Sequence, residues 1–205
     1  MIKNIIFDMG GVLIHYDPAA LLSHLNLPPE DEKLLLREAF GSIEWLQMDR
    51  GVLDEASGIA SIKRRLPERL HGAVDRVIAW WELELRPMAG MEALLRELKE
   101  ANYGIYLLSN ATLRQPEYFV NIPGNQYFDG KIVSAFHKLL KPQHEIYELL
   151  LQKFSLEAST CFFVDDNCAN VESALYLGIS GTVFDGDVSR LRRELREAGV
   201  AVKLA

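Results

Sequence analysis

The chain is poor in cysteine. Its two thiols, Cys161 and Cys168, make neither a pairing framework nor a metal-ligand spacing. That excludes a disulfide-stapled scaffold and a cysteine-held zinc module, and it is expected of a reducing compartment. The five histidines are scattered without ligand spacing, so zinc is not suggested. Basic charge is also short. Lys and Arg number 22 against 29 Asp and Glu, a formal net charge of -7. No basic excess is available to neutralise phosphates along a nucleic acid, although a few local donors can still hold a small anion. Long hydrophobic runs are missing: none approaches the roughly 20 apolar residues of a membrane helix. The run after Met1 is too short for a secretory leader and is broken by Asp8. A cytoplasmic protein with no membrane or nucleic-acid partner is therefore expected; oligomeric state is left open. Repeats and low-complexity tracts are absent.

What the sequence does contain suits a globular enzyme. Its 205 residues, 49% apolar and 25% charged, fit one domain or one domain with an insertion. Five short apolar runs predict buried strands: IIF before Asp8, YGIYLLS ending at Ser109, KIVSA at 131–135, TCFFVDD ending at Asp166, and GTVFD at 181–185. They are continuous rather than alternating, as in a sheet covered on both faces. Helical spacings separate them. Met91, Leu94, Leu95 and Leu98 form one stripe. Ile146, Leu149 and Leu150 form another, with Pro142 at the first helical position. Val171, Ala174 and Leu175 form a third, stopped by Gly178. Alternation of strand and helix predicts a doubly wound, mostly parallel α/β sheet.

About 90 residues lie between the first and second strands, more than a crossover needs. The segments 19–26, 30–40, 54–65 and 73–85 read as helix, punctuated by Pro28-Pro29, Gly41-Ser42 and Gly51. The expected division is a core of 1–15 plus 85–205 and an inserted helical cap of 16–84. Its hinges would be Ile14–Asp17 and Leu85–Pro87. Trp80 and Trp81 are read as core or cap–core packing rather than as a substrate platform.

Ligands of such sheets bind outside the carboxyl ends of the strands. Asp8 ends the first strand, Ser109-Asn110 the second and Asp165-Asp166 the fourth; Lys141 lies just before a helix. Three carboxylates brought together repel one another and need protons or a cation. Hard oxygen ligands of this kind suit Mg2+, which also binds substrate phosphate. Gly10 and Gly11 would turn the chain and bring backbone N–H groups to an anion. Taken singly, each residue has a plainer reading. A strand-end aspartate is often a cap, Ser109 a turn residue, and Lys141 a solvated lysine in competition with Lys138. Lys141 is preferred because Pro142 sets it at a helix start.

The order of FDMGGVL at 7–13, LLSN at 107–110, KP at 141–142 and FFVDDNCANVESA at 162–174 resembles the haloacid dehalogenase superfamily of hydrolases. The resemblance spans nearly the whole chain and implies a Rossmann-like core. It is nearest to the branch with a small helical cap, which includes sugar-phosphate and glucose-1-phosphate phosphatases. WLQMDRG at 45–51 is similar to a cap motif of that branch. The resemblance implies a phosphatase of a small phosphorylated metabolite, with Asp8 as nucleophile. Mg2+ would be held by Asp8, the Gly10 carbonyl and Asp166, with Asp165 supporting that metal group and Asn170 behind it. Ser109, Asn110 and Lys141, with the backbone of Gly10 and Gly11, would hold the phosphoryl group. Trp45 and Arg50 would contact the leaving group.

One position departs from the family pattern. Most of the resembling phosphatases carry an acid–base aspartate two residues after the nucleophile, where this chain has Gly10. Three accounts are open: a leaving group, such as an anomeric oxygen, that needs little proton help; a surrogate acid among His15, Asp17 and Asp49; or lost catalysis, leaving a phosphate-binding pseudoenzyme. A metal-independent 2-haloacid dehalogenase and a phosphorylatable receiver module are further readings. The acidic pair Asp165-Asp166 argues against the dehalogenase. Its place after the fourth strand, and the insertion, argue against the receiver.

Overall fold

The computed structural model describes residues 1–79 and 86–203. Trp80, Trp81 and Leu85, for which packing and hinge roles are expected, lie outside the described residues. The expected apolar runs form strands: β1 (Asn4–Phe7), β4 (Gly104–Ser109), β5 (Gly130–Val133), β6 (Cys161–Asp165) and β7 (Ser180–Val183). They make one parallel sheet in the order β5-β4-β1-β6-β7. The chain thus starts at the centre, winds to one edge, then crosses β1 to reach the other. The reversal leaves a crevice at the carboxyl end of β1.

Side-chain alternation explains why the inner runs, β4, β1 and β6, are apolar. On one face Ile5, Phe7, Ile105, Leu107 and Val164 pack against α6 (Met91–Glu100) and α11 (Val188–Glu197). On the other, Ile6, Leu108, Ile132 and Phe163 pack against α9 (His144–Lys153) and α10 (Cys168–Tyr176). Both faces are covered, so neither needs polar positions. Three local expectations require correction. The β6 strand ends at Asp165, so Asp166 already belongs to the turn. Leu175 is exposed rather than part of the α10 stripe, whose buried apolar members are Val171 and Ala174. Pro142 is not the first helical residue: α9 starts at His144, after a turn closed by Gln143 N–H donating to Leu140 O at 2.8 Å.

The long insertion is helical, with a hydrophobic cluster of its own. Its elements are α1 (Pro18–Ser23), α2 (Pro29–Leu35) running into a π-helical turn at Leu36–Phe40, α3 (Ile43–Asp49), α4 (Glu55–Lys63) and α5 (His71–Ala79). Leu22, Leu35, Met48, Ile62, Leu70 and Val74 are buried together there. The chain leaves and re-enters the core side by side, because β2 (Ile14–His15) and β3 (Arg86–Pro87) pair antiparallel. The α3 helix is absent from the sequence expectation, which reads Gly41-Ser42 only as punctuation. Ser42 is in fact its N-cap, its Oγ accepting from Trp45 N–H at 3.1 Å. Among the described residues no helix is long and apolar enough to cross a membrane.

Candidate active site

The carboxyl ends of β1, β4 and β6 bring the expected polar residues together. The ammonium of Lys141 is buried, with 1% of its side chain exposed, and donates to Asp8 Oδ1 at 2.8 Å and Asp165 Oδ2 at 2.6 Å. Asp8, Asp165 and Asp166 each present an oxygen within 4.8 Å of the others. Three carboxylates therefore face one ammonium. Burial, with the charge of Asp165 adding, pushes the Asp8 carboxyl up to about 7; Lys141 pulls the other way. Burial and Asp165 likewise raise Asp166. Such a surplus of hard oxygens fits a small divalent cation.

The carboxylates divide into two roles. Asp165 is fully buried and its oxygens are already engaged: Oδ1 accepts from Asn167 N–H and Asn170 Nδ2, both at 2.9 Å, while Oδ2 accepts from Lys141. Asn170 sits behind the acidic group as expected, but it holds Asp165 rather than Asp166. Asp165 therefore orients Lys141 more than it offers a free oxygen. Asp166 is exposed beside Gly11. Gly11 has φ +72°, and a Cβ there would stand 2.1 Å from Asp166 Oδ2, so only glycine lets this carboxylate close on the β1 loop. Gly10 is different. Its backbone needs no glycine, and a Cβ would meet Tyr16 Cβ at 3.5 Å. Tyr16 stands where a longer side chain at position 10 would point.

A cavity of about 360 Å³ opens onto Asp8, Lys141 and Asp166 and is roofed by the helical insertion. Trp45 lines it, as expected, together with Phe40, whose ring lies 4.8 Å from that of Trp45. Arg50 does not line it; it is the C-cap that follows α3, outside the cavity wall. Ser109 is buried at the end of β4 and is not part of the wall. Asn110 is, and its side-chain amide also meets Lys141: Nδ2 donates to Lys141 O at 3.0 Å and Oδ1 accepts from Lys141 N–H at 2.8 Å. Asn110 thus fixes the lysine backbone while lining the cavity. Lys138 is exposed in a left-handed turn and does not compete for the site. Sequence reasoning missed Tyr16, Phe40, Thr112 and Tyr118 in the wall. Tyr16 is flagged only by its place two residues after the β1 loop; the others carry no local signal.

The three surrogate acids separate clearly. Asp17 is exposed and caps α1, its Oδ1 accepting from Ala19 and Ala20 N–H at 3.0 Å. His15 is exposed and lines an adjoining depression, which shares Tyr16 and Asp166 with the cavity, but it is not in the cavity wall itself. Asp49 alone enters the cavity with Asp8. Burial pushes its carboxyl up to about 7, a hydrogen bond from the Trp45 side chain opposes that, and the charge of Asp8 adds to it.

A doubly wound sheet with an acidic, lysine-bridged crevice and a helical insertion over it defines a class of hydrolase. The chain belongs to the haloacid dehalogenase-like hydrolase family, whose model matches residues 2–178. It is 31% identical to the sesquiterpene phosphatase astK of Aspergillus oryzae, over 87% of this chain and 88% of that protein. It is 29% identical to a (S)-2-haloacid dehalogenase of Pseudomonas sp., over 90% of this chain and 86% of that one. A family enzyme from Bacteroides thetaiotaomicron, solved in complex with magnesium and inorganic phosphate, superposes with a TM-score of 0.70 at 25% identity. That match covers 93% of this chain and 99% of the other.

Proposed function

We propose that the chain is a Mg2+-dependent phosphatase of a small phosphomonoester, such as a sugar phosphate, acting through an aspartyl-phosphate on Asp8. The observation that carries this reading is the buried Lys141 ammonium shared by Asp8 and Asp165, with Asp166 alongside. Displacement of halide from carbon needs no such acidic group, so the dehalogenase reading leaves Asp166 and the close packing of carboxylates unexplained. Asp8, Asp166 and the Gly10 carbonyl would hold Mg2+, which would supply Lewis-acid neutralisation of the phosphoryl oxygens. Asp8 attacks phosphorus as the nucleophile. Lys141 offsets charge on the nucleophile and the transferring group. Residues 16–84 serve as the cap that closes over the substrate and keeps water out. The aromatic wall of Tyr16, Phe40, Trp45 and Tyr118 favours a second reading within the same class, an isoprenoid phosphate, in line with the name of the Aspergillus relative.

A panel of phosphomonoesters with and without Mg2+ tests the proposal and separates the two substrates. It should hold anomeric and non-anomeric sugar phosphates, an aryl phosphate and an isoprenoid phosphate. Metal-dependent phosphate release from at least one class is expected. Release unaffected by chelator, or none from any ester, overturns it.

The metal also has a pH signature. Asp8, raised from 3.8 to about 7, keeps in the folded state a proton that the unfolded chain has released. Its contribution to stability is therefore present at low pH and lost as pH rises through about 7. Mg2+ must displace that proton below pH 7 but not above it. Thermal melts should show a clear Mg2+-induced rise in Tm at pH 8 and little at pH 5. An equal rise at both would contradict the assignment of Asp8 to the metal.

A further inference from the structure

The cavity has a nucleophile and a cation to balance it, yet Gly10 leaves it without the expected proton donor. The titratable groups in its wall are Asp8, Tyr16, Asp49, Tyr118, Lys141 and Asp166. Most are committed or unsuited. Lys141 is held between two carboxylates and stays charged, the pair of acids raising it. Asp8 and Asp166 belong to the nucleophile and acidic cluster. Burial raises both tyrosine hydroxyls above their ordinary value, which makes them poorer acids. Asp49 remains.

The position of Asp49 is fixed from both sides of the cavity. It is the last residue of α3, where the negative end of the helix dipole disfavours a carboxylate. A residue chosen for helix stability would be basic there. Its backbone carbonyl accepts a hydrogen bond from Ser134 Oγ at 2.5 Å, and Ser134 follows β5 in the core. Two residues on, Gly51 has φ +72° and packs so closely on Ala135 that a Cβ would lie 2.1 Å from the Ala135 carbonyl oxygen. These contacts hold the end of α3 against the sheet edge. The side chain of Asp49 takes a hydrogen bond from Trp45 and feels the charge of Asp8, and its own charge acts on Tyr16 and Tyr118.

Resting on the phosphatase reading above, we propose that Asp49, supplied by the helical insertion, is the acid–base residue of this site. As Asp8 forms its bond to phosphorus, the bond from phosphorus to the leaving oxygen breaks. That oxygen takes the proton of the Asp49 carboxyl and departs as an alcohol. The Asp49 carboxylate then takes a proton from water as the water oxygen bonds to phosphorus. The bond from phosphorus to Asp8 breaks, and inorganic phosphate and free Asp8 are restored. Because the acid comes from the insertion, it is in place only when α3 is seated on the core, which couples closure to turnover.

The test is Asp49→Asn assayed on two esters, an aryl phosphate whose leaving group needs no proton and an alkyl or sugar phosphate whose leaving group does. The kcat/KM for the alkyl ester should fall by about 10²–10⁴-fold and that for the aryl ester by less than about tenfold. The kcat values for both should fall to a common low figure, and acid quenching should trap phosphorylated enzyme, because water is no longer activated. Asp49→Glu keeps the carboxyl and should recover part of the alkyl-ester rate. His15→Gln and Asp17→Asn should leave the ratio between the esters as it is in the wild type. Parallel losses on both esters would reduce Asp49 to a structural role and overturn the proposal, as would an unchanged ratio. Asp49→Ser gives the same readings if the Asn variant does not fold. If the wild type hydrolyses no ester of the phosphomonoester panel, the phosphatase reading itself fails and this assignment falls with it. A wild type active on both with a ratio untouched in Asp49→Asn rejects Asp49 alone.

Discussion

Asp8→Asn is expected to lower turnover of every phosphate ester by about 10⁴-fold or more, since the amide cannot replace the carboxylate as nucleophile. The side chain keeps its shape, and Lys141 keeps its 2.6 Å bond to Asp165. The fold should therefore survive, with little change in Tm at pH 8 in the absence of metal. That separates loss of chemistry from loss of structure. Mg2+ should stabilise the variant less than the wild type, because one charged oxygen has left the cluster. The same variant should yield no phosphoenzyme on acid quenching, unlike the Asp49 variant, which should accumulate it. The two together would order the steps. Residual activity above about 1% of wild type would show that another group attacks phosphorus and would remove Asp8 from the nucleophile role.

The elements that could be read in advance share one property: their signal is local. The inner strands β4, β1 and β6 are apolar because both faces of the sheet are covered there, and that shows in any window of five residues; the edge strand β7 buries none of its residues. Asp8 and Asp165-Asp166 are legible because each ends such a run, and a parallel sheet places all its carboxyl ends on one edge; Lys141 is legible only through its neighbour Pro142. What stayed hidden depends on partners far apart in the chain. Nothing near Asn110 in the chain signals that its amide meets the backbone of Lys141, 31 residues away. Arg50 and Asp49 are neighbours in the same motif, yet one turns into the cavity and the other does not, a difference set by the phase of α3. That phase was unavailable because the Ser42 cap went unread. Gly51 was legible only as punctuation, whereas its reason is the Ala135 carbonyl of the core packed directly against it.

Lys141→Met is the second large expectation, and its value lies in affecting stability and catalysis differently. The ammonium is almost wholly buried, and its two partners are buried or nearly so. Removing it leaves Asp8 and Asp165 facing each other without a counter-charge. Breaking a buried ionic arrangement in this way costs about 3–5 kcal/mol, which for a chain of this size is roughly 6–20 °C in Tm. The backbone at position 141 should hold, because Asn110 bonds the main chain and not the side chain. The loss should be largest at pH 8 and shrink at pH 5, where the orphaned carboxylates take up protons. Mg2+ should restore part of the Tm, since a cation can again offset the acids. It should not restore turnover, which is expected to fall about 10²–10³-fold because Lys141 also acts on charge developing at the phosphoryl group. Lys141→Arg should rescue neither property, as a planar fork does not fit a pocket built around a point charge bonded to two separate carboxylates. A Met variant with wild-type Tm at pH 8 and turnover within tenfold would mean that Lys141 neither holds the cluster together nor acts on the reacting phosphate.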